Sequence, residues 1–160
     1  MLLSSVPAPP PGGNLLDLGC GWGPIALTLA VESPHATVWA VDVNERALDL
    51  VRRNATVMGL ENVNAVLPGS VPADVAFTTI WSNPPIRVGK VELHALLSRW
   101  LPRLEPGSDA YLVVQRNLGS DSLQRWLEAE FAPDSATGFA FTRVATSKGY
   151  RVLRGRRGSR

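Results

Sequence analysis

The chain has 160 residues, of which 45% are apolar, with a single cysteine and a net charge of +2. This composition is typical of one globular domain with a sizeable core, and it excludes a largely disordered chain. One cysteine excludes an internal disulfide, and no apolar run reaches the ~18 residues of a membrane span. We therefore expect a cytoplasmic protein without a membrane segment.

Apolar strand patterns and helical patterns alternate along the chain after a proline- and glycine-rich lead-in over residues 1–13. The predicted strands are 14–18, 36–41, 62–67, 75–81, 110–114, 136–144 and 148–154. The predicted helices are 24–32, 44–58, 91–101 and 121–131, with a Pro-Gly turn at 106–107. Such alternation implies a doubly wound, mostly parallel seven-stranded α/β sheet with helices on both faces. The short link at 146–149 predicts that the last two strands pair as an antiparallel hairpin.

The stretch Asn14 to Gly23 reads Asn-Leu-Leu-Asp-Leu-Gly-Cys-Gly-Trp-Gly and predicts a nucleotide pocket. The stretch predicts a strand, then a turn with three glycines, then a helix that starts at Pro24. The glycines let a ligand approach the backbone of the turn closely. The carboxylate of Asp17 would repel a pyrophosphate at this helix start, but it can hold an ammonium while N–H groups hold a carboxylate. The amino-acid end of S-adenosylmethionine (SAM) carries both charges. The alternative is a tight turn that binds no ligand.

Asp42 ends the second predicted strand, 25 residues after Asp17. Ligands of open α/β sheets bind beyond the carboxyl ends of the strands, where an acid at about this spacing accepts hydrogen bonds from ribose hydroxyls. We expect that role for Asp42. Its alternative role is to cap the next helix beside Asn44.

The stretch Asn83-Pro84-Pro85-Ile86-Arg87 follows the fourth predicted strand. The prolines lack an N–H group, so the loop is stiff and leaves carbonyl groups available. The side-chain carbonyl of Asn83 and the backbone carbonyl of Pro84 can accept both hydrogens of a planar NH2 group and orient its nitrogen for methyl transfer. The alternative is a rigid turn that only ends the strand.

Charge is distributed unevenly between the two ends of the chain. Residues 1–134 carry 9 Lys/Arg and all 14 Asp/Glu, whereas residues 135–160 carry 7 Lys/Arg and no acid. The basic end, which includes a predicted tail over 155–160, could bind the phosphates of RNA or could be a solvated terminus. No Cys, His and acid cluster has metal-site spacing, so no metal is expected.

The stretches Asp17 to Gly23, Val41 to Asn44 and Ser82 to Arg87 together resemble the class I SAM-dependent methyltransferases of the small-domain group. This group includes the ribosomal RNA guanine-N2 methyltransferases. The resemblance implies a Rossmann-like methyltransferase domain over residues 14–154. It also implies that the target nitrogen is bound by Asn83 and Pro84, and that SAM is held by Asp17, Gly19, Cys20, Gly21, Gly23, Asp42, Val43 and Asn83. Cys20 would be a small packing residue of the loop and not a reactive thiol.

Three departures from the family pattern refine this expectation. Ile86 stands where adenine-N6 and glutamine-N5 methyltransferases usually carry an aromatic residue, which favours a guanine-N2 type with Pro85, Ile86 and Arg87 at the substrate. Pro68-Gly69-Ser70 replaces an acid, so Ser70 or backbone groups would contact the adenine. Relatives also carry more residues before the glycine loop, so we expect a truncated chain or an incomplete cofactor pocket.

The sequence therefore predicts a SAM-dependent methyltransferase that acts on the exocyclic N2 of a guanine in RNA, and the family resemblance favours ribosomal RNA. The alternatives are methylation of a protein glutamine at N5, and a SAM- or RNA-binding domain without turnover. The oligomeric state is left open.

Overall fold

The computed structural model describes residues 6–84, 89–115, 119–135, 137–147 and 149–159. In these ranges seven strands form one sheet in the order β3-β2-β1-β4-β5-β7-β6. The strands are β1 Asn14–Leu18, β2 Thr37–Val41, β3 Val63–Val66, β4 Phe77–Ser82, β5 Leu104–Gln115, β6 Phe139–Ser147 and β7 Tyr150–Arg157. The helices are α1 Pro24–Glu32, α2 Glu45–Val57, α3 Lys90–Trp100 and α4 Ser120–Glu130. The predicted α/β sheet with its antiparallel hairpin is confirmed.

The chain divides into two compact units, of which the first is Ala8–Ser82. Its strands β3, β2, β1 and β4 are parallel neighbours. The central strand β1 is buried along nearly its whole length, which explains why three of its five residues are leucines. Helix α2 begins where the side chain of Asn44 accepts hydrogen bonds from the N–H groups of Arg46 and Ala47, as its sequence predicts. This unit therefore holds both the glycine loop and Asp42.

The second unit contains the chain from Asn83 onward. Strand β7 pairs antiparallel with both β5 and β6. On β6 and in the segment after α4, Phe131, Phe139 and Phe141 form a cluster of contacting rings. The aromatic side chains give this unit an apolar core of its own.

Two predictions about the second unit were wrong in detail. The Pro-Gly pair at 106–107 does not form a turn before a short strand, because β5 runs without interruption from Leu104 to Gln115. Gly107 adopts a φ of +78° and still donates its N–H to the carbonyl of Gly158, so the strand tolerates the irregularity. Strand β7 also continues to Arg157, three residues beyond its predicted end.

Each helix in the described part of the chain falls short of what a membrane-crossing helix requires in length and hydrophobicity.

Candidate functional site

The carboxyl ends of three strands meet at one edge of the first unit. Leu18, the last residue of β1, pairs with Val41 at the end of β2 and with Ser82 at the end of β4. Because these strands are parallel, the residues that follow them start from the same edge, where ligands of open α/β sheets bind. Gly19 and Asp42 follow directly, and Asn83 is the next residue after Ser82.

The glycine loop is attached to the end of β2 by backbone hydrogen bonds. The N–H groups of Gly19 and Cys20 both donate to the carbonyl of Val41, at 2.8 and 3.0 Å. Gly23 closes the turn by donating to the carbonyl of Cys20 at 3.0 Å. Main-chain hydrogen bonds thus fix both the start and the end of the loop.

Two of the loop glycines have different reasons to be glycine. Gly23 has a φ of +98°, and a Cβ atom there would lie 2.8 Å from a methyl carbon of Val51 in α2. Gly21 has a φ of +55°, but a Cβ atom there would meet nothing within 4 Å. Gly23 therefore permits helix packing, whereas Gly21 faces open space that a ligand can fill.

Asp17 lies at the amino end of α1, as the sequence predicts. Its carboxylate is 1% exposed and accepts a hydrogen bond from the N–H of Ala26 at 3.0 Å. Gly23, the formal cap of α1, has no side chain, so Asp17 satisfies a helix N–H from β1 instead. Burial is the main cause that raises the pKa of Asp17 to about 7; the Ala26 hydrogen bond opposes this shift and the nearby Asp42 carboxylate adds to it.

Asp42 links the glycine loop to the start of α2. One carboxylate oxygen accepts a hydrogen bond from the N–H of Gly21 and the other from the N–H of Asn44, both at 2.9 Å. Asn44, and not Asp42, caps the helix with its side chain. Each carboxylate oxygen can accept a further hydrogen bond, so these contacts leave capacity for a ligand hydroxyl.

Exposed apolar side chains follow the first three strands. Trp22 is 57% exposed in the glycine loop, Val43 is 81% exposed after β2, and Leu67 is 38% exposed after β3. Ser70 is exposed in a single 3-10 turn that follows Leu67. Large apolar side chains in loops at the edge of the sheet where ligands bind are suited to contact a flat ring of a ligand. Leu67 was not among the predicted residues, although its place at the end of a short apolar strand could have indicated it.

Cys20 is a packing residue of the loop in this structure. Its side chain is 5% exposed, and its sulfur donates to the carbonyl of Gly21 at 3.4 Å. Burial, together with the carboxylates of Asp17 and Asp42, raises the pKa of the thiol to about 12. A thiol that stays protonated is a poor nucleophile, so covalent chemistry at Cys20 is disfavoured.

The predicted acceptor motif is only partly within the described ranges. Asn83 is exposed and Pro84 is half-buried. The predicted substrate residues Pro85, Ile86 and Arg87 lie outside the described residues. Ser82, which precedes the motif, was not predicted; it is fully buried and its hydroxyl donates to the carbonyl of Leu18 at 3.0 Å.

Several arginines of the basic end are engaged within the second unit. Arg143 and Arg151 form ion pairs with Asp121. Arg157 donates to the backbone carbonyls of Pro102 and Leu104. These three arginines contribute to the packing of the unit, so the count of basic residues overstates the charge available to a partner.

Arg154 and Arg156 differ from those three. Arg156 is exposed and pairs with Asp109 at 3.2 Å. Arg154 is half-buried, and its Nε has no hydrogen-bond partner. Their side chains lie on one face of β7, while Arg151 and Arg157 lie on the other, because successive strand residues alternate between faces.

Comparison with known proteins agrees with this geometry. The family model of the methyltransferase small domain matches residues 1–154. The protein YbxB of Bacillus subtilis is 34% identical over 98% of this chain and 76% of its own length. Ribosomal RNA small subunit methyltransferase C of Aeromonas hydrophila is 38% identical over 64% of this chain, but the match spans 30% of that protein. Release factor glutamine methyltransferase of Fusobacterium nucleatum is 36% identical over 52% of this chain and 24% of its own length.

Among solved structures, the 16S rRNA N2 G1207 methyltransferase RsmC of T. thermophilus, in complex with AdoMet and guanosine, superimposes with a TM-score of 0.72. It is 26% identical, and the match covers 89% of this chain and 37% of the neighbour. The family match covers nearly the whole chain and the shared fold is that of a methyltransferase with bound AdoMet, which is SAM. The chain therefore belongs to the methyltransferase small-domain family and is a SAM-dependent methyltransferase.

Proposed function

We propose that this methyltransferase transfers the methyl group of SAM to the exocyclic N2 of a guanine in ribosomal RNA. The observation that carries the proposal is the register at the ends of β1 and β4. Leu18, which precedes the glycine loop, pairs directly with Ser82, which precedes Asn83. The Asn-Pro-Pro motif, which is predicted to bind a planar nitrogen, thus starts beside the glycine loop, which is predicted to bind the methyl donor.

The residues of the first unit fit the charges and shape of SAM. Asp17 would receive the ammonium of the methionine end, while the N–H of Ile25 at the start of α1 would receive its carboxylate. Asp42 would accept hydrogen bonds from the ribose hydroxyls while keeping the N–H of Gly21. Val43, Leu67 and Ser70 would flank the adenine, and the open space at Gly21 leaves room for the ligand backbone.

Asn83 and Pro84 would prepare the acceptor. Bound SAM supplies an electrophilic methyl group on a sulfonium. The amide carbonyl of Asn83 and the backbone carbonyl of Pro84 would accept the two hydrogens of the NH2 group and hold its lone pair toward the methyl carbon. As the nitrogen–carbon bond forms and the carbon–sulfur bond breaks, the same carbonyl dipoles would stabilise the positive charge that develops on the nitrogen. The nitrogen then loses a proton to solvent, and the leaving group is the neutral thioether that remains of SAM.

A guanine acceptor is favoured by Ile86 and Arg87 after the Asn-Pro-Pro motif and by the guanosine in the RsmC structure. Glutamine-N5 methylation of a protein is the second candidate, because release factor glutamine methyltransferases share 36% identity with half of this chain. The guanine-N2 enzyme is preferred because no aromatic residue follows Pro85 to stack on a planar amide. With one buried cysteine and so no disulfide within the chain, we place the reaction in the reducing cytoplasm.

We also propose that RNA contacts the face of β7 that carries Arg154 and Arg156. Arg154 pairs across the sheet with Tyr111 and Thr142, and Arg156 with Asp109 and Ala140. Thr142 and Ala140 are exposed and small, so they leave the two guanidinium groups accessible to phosphates. Arg156 is itself paired with a single side chain, Asp109, at 3.2 to 3.3 Å. Arg143 is held by both Gln124 and Asp121, Arg151 by Asp121, and Arg157 by two backbone carbonyls, so we expect these three to be less available to phosphates.

The experiment compares Asn83→Ala with the wild type and with Asn64→Ala, an exposed asparagine of β3 that serves as the matched control. Titration calorimetry measures SAM binding, and transfer of tritium from labelled SAM is measured to ribosomal RNA and to protein. We expect SAM to bind both variants, with transfer to RNA lowered by at least about 10²-fold only in Asn83→Ala. Retained transfer by Asn83→Ala would refute the role of Asn83, and absence of SAM binding by the wild type would refute the reaction.

A further inference from the structure

We propose that Ser82 is a positioning residue, whose hydroxyl sets the place of the Asn83-Pro84 acceptor motif relative to the glycine loop. This inference rests on the proposed methyl transfer, although it does not depend on which nitrogen is methylated. It assigns a function to a serine whose side chain is fully buried.

The evidence is a single peptide unit that is held from both sides. The Ser82 hydroxyl donates to the carbonyl of Leu18 at 3.0 Å. The N–H of the same peptide unit belongs to Gly19 and donates to the carbonyl of Val41 at 2.8 Å. The Leu18–Gly19 peptide therefore ties together the ends of β4, β1 and β2. Asn83, Gly19 and Asp42 are the residues that continue from these three ends.

The hydrogen bond between Ser82 and Leu18 lies at the end of the ladder between β1 and β4. The ladder between β1 and β4 ends at the pair Leu18 and Ser82, and Gly19 then turns away with a φ of +72°. Ser82 is 0% exposed and Leu18 is 1% exposed, so water does not compete for this hydrogen bond. Removal of the hydroxyl leaves the ends of β1 and β4 linked by the backbone ladder and by packing, without the side-chain hydrogen bond that fixes the Leu18–Gly19 peptide. Because methyl transfer needs near-contact alignment, a displacement of about 1 Å can lower the rate about 10²-fold.

A purely structural role is the competing explanation, and the same strand provides its control. At the other end of β4, the hydroxyl of Thr78 donates to the carbonyls of Gly12 and Asn14 at 3.1 and 3.3 Å. Thr78 thus makes the same kind of link between β4 and the start of β1, away from the ligand edge. If the hydroxyls only satisfy carbonyl groups, the two residues should have the same effect on turnover.

The experiment compares Ser82→Ala with Thr78→Val in the full chain. Thermal unfolding, SAM affinity by calorimetry, and kcat and KM for the acceptor that the wild type labels are measured for both. We expect both variants to be less stable, SAM affinity to stay within about twofold, and kcat to fall at least about tenfold only in Ser82→Ala. Ser82→Thr keeps the hydroxyl and should recover most of the lost kcat. An equal kcat in Ser82→Ala and Thr78→Val would overturn the proposal.

A second measurement separates this inference from the proposed function. Amide hydrogen exchange at Gly19 and Cys20 should be faster in Ser82→Ala than in Thr78→Val, and this readout needs no acceptor. If the amide exchange rates of Gly19 and Cys20 are unchanged in Ser82→Ala, the proposed link between Ser82 and the Leu18–Gly19 peptide is refuted, even if the wild type methylates RNA. Label in protein and not in RNA would refute the proposed substrate, while the comparison of the variants would still decide the role of Ser82.

Discussion

At the scale of single residues, Asp17 combines two functions that oppose each other. Its carboxylate accepts a hydrogen bond from the N–H of Ala26 in α1, and burial favours its neutral form. An ammonium placed beside it would favour the charged form. The binding of SAM and the ionisation of Asp17 should therefore be coupled.

We predict that SAM affinity rises with pH as Asp17 loses its proton. With a pKa of about 7, the ionised fraction is small at pH 6 and large at pH 7.5, so the apparent affinity should rise roughly eightfold between these values. Calorimetry at both pH values measures the change, and Asp17→Asn should bind weakly with little dependence on pH. A flat profile for the wild type would show that Asp17 does not hold the ammonium.

The same pKa predicts how stability depends on pH. Asp17 has its usual pKa of 3.8 when unfolded and about 7 when folded, so the folded protein holds more protons between these values. Stability from this group is therefore fully present below pH 3.8 and falls as pH rises toward 7, by on the order of 4 kcal/mol. Chemical denaturation of the wild type and of Asp17→Asn at pH 5 and pH 8 checks this. The difference in unfolding free energy between the two proteins should be smaller at pH 5 than at pH 8.

At the scale of elements, the strands and helices with strong periodic patterns were predictable from sequence. Strand β1 and helix α1 have the predicted bounds, because a buried run followed by glycines and an N-terminal proline leaves little alternative. The Pro-Gly turn at 106–107 was wrong, since the pairing partner that keeps Gly107 in the strand is Gly158, far away in sequence. The contact of Ser82 with Leu18 was unpredictable for the same reason, because it joins residues 64 positions apart.

The cap of α2 gives a prediction about an element. Asn44→Ala removes the side chain that accepts from the N–H groups of Arg46 and Ala47, and it should lower the free energy of unfolding by about 1 kcal/mol. Urea denaturation measures this, with Asn64→Ala as the control. SAM affinity should change little, because Asp42 accepts from the backbone N–H of residue 44, which alanine retains. A large loss of SAM affinity would mean that the Asn44 side chain contacts the ligand.

At the scale of the whole molecule, the chain has a net charge of +2 with its basic residues concentrated after residue 134. The sequence alone indicated this imbalance but not its distribution between the two faces of β7. Pairing with Asp121 and with backbone carbonyls depends on tertiary contacts, which composition does not reveal. The structure therefore reduces the candidate RNA-binding arginines of the described hairpin to Arg154 and Arg156.

We predict that RNA affinity depends on these two residues. The double variant Arg154→Gln and Arg156→Gln should bind ribosomal RNA more weakly, and the slope of log affinity against log salt should fall by about two. Arg143→Gln is the matched control and should retain the wild-type slope, because Arg143 is paired with Asp121. Filter binding between low and moderate salt measures both. Equal slopes in all proteins would place the RNA-binding surface elsewhere.

The identity of the methylated nucleoside tests the central proposal most directly. Unmethylated ribosomal RNA is incubated with the protein and SAM, digested to nucleosides and analysed by mass spectrometry. We expect a single new product, N2-methylguanosine, that disappears with Asn83→Ala and persists with Asn64→Ala. Methyl groups found on another base, or on glutamine of an added protein in place of RNA, would contradict the proposal.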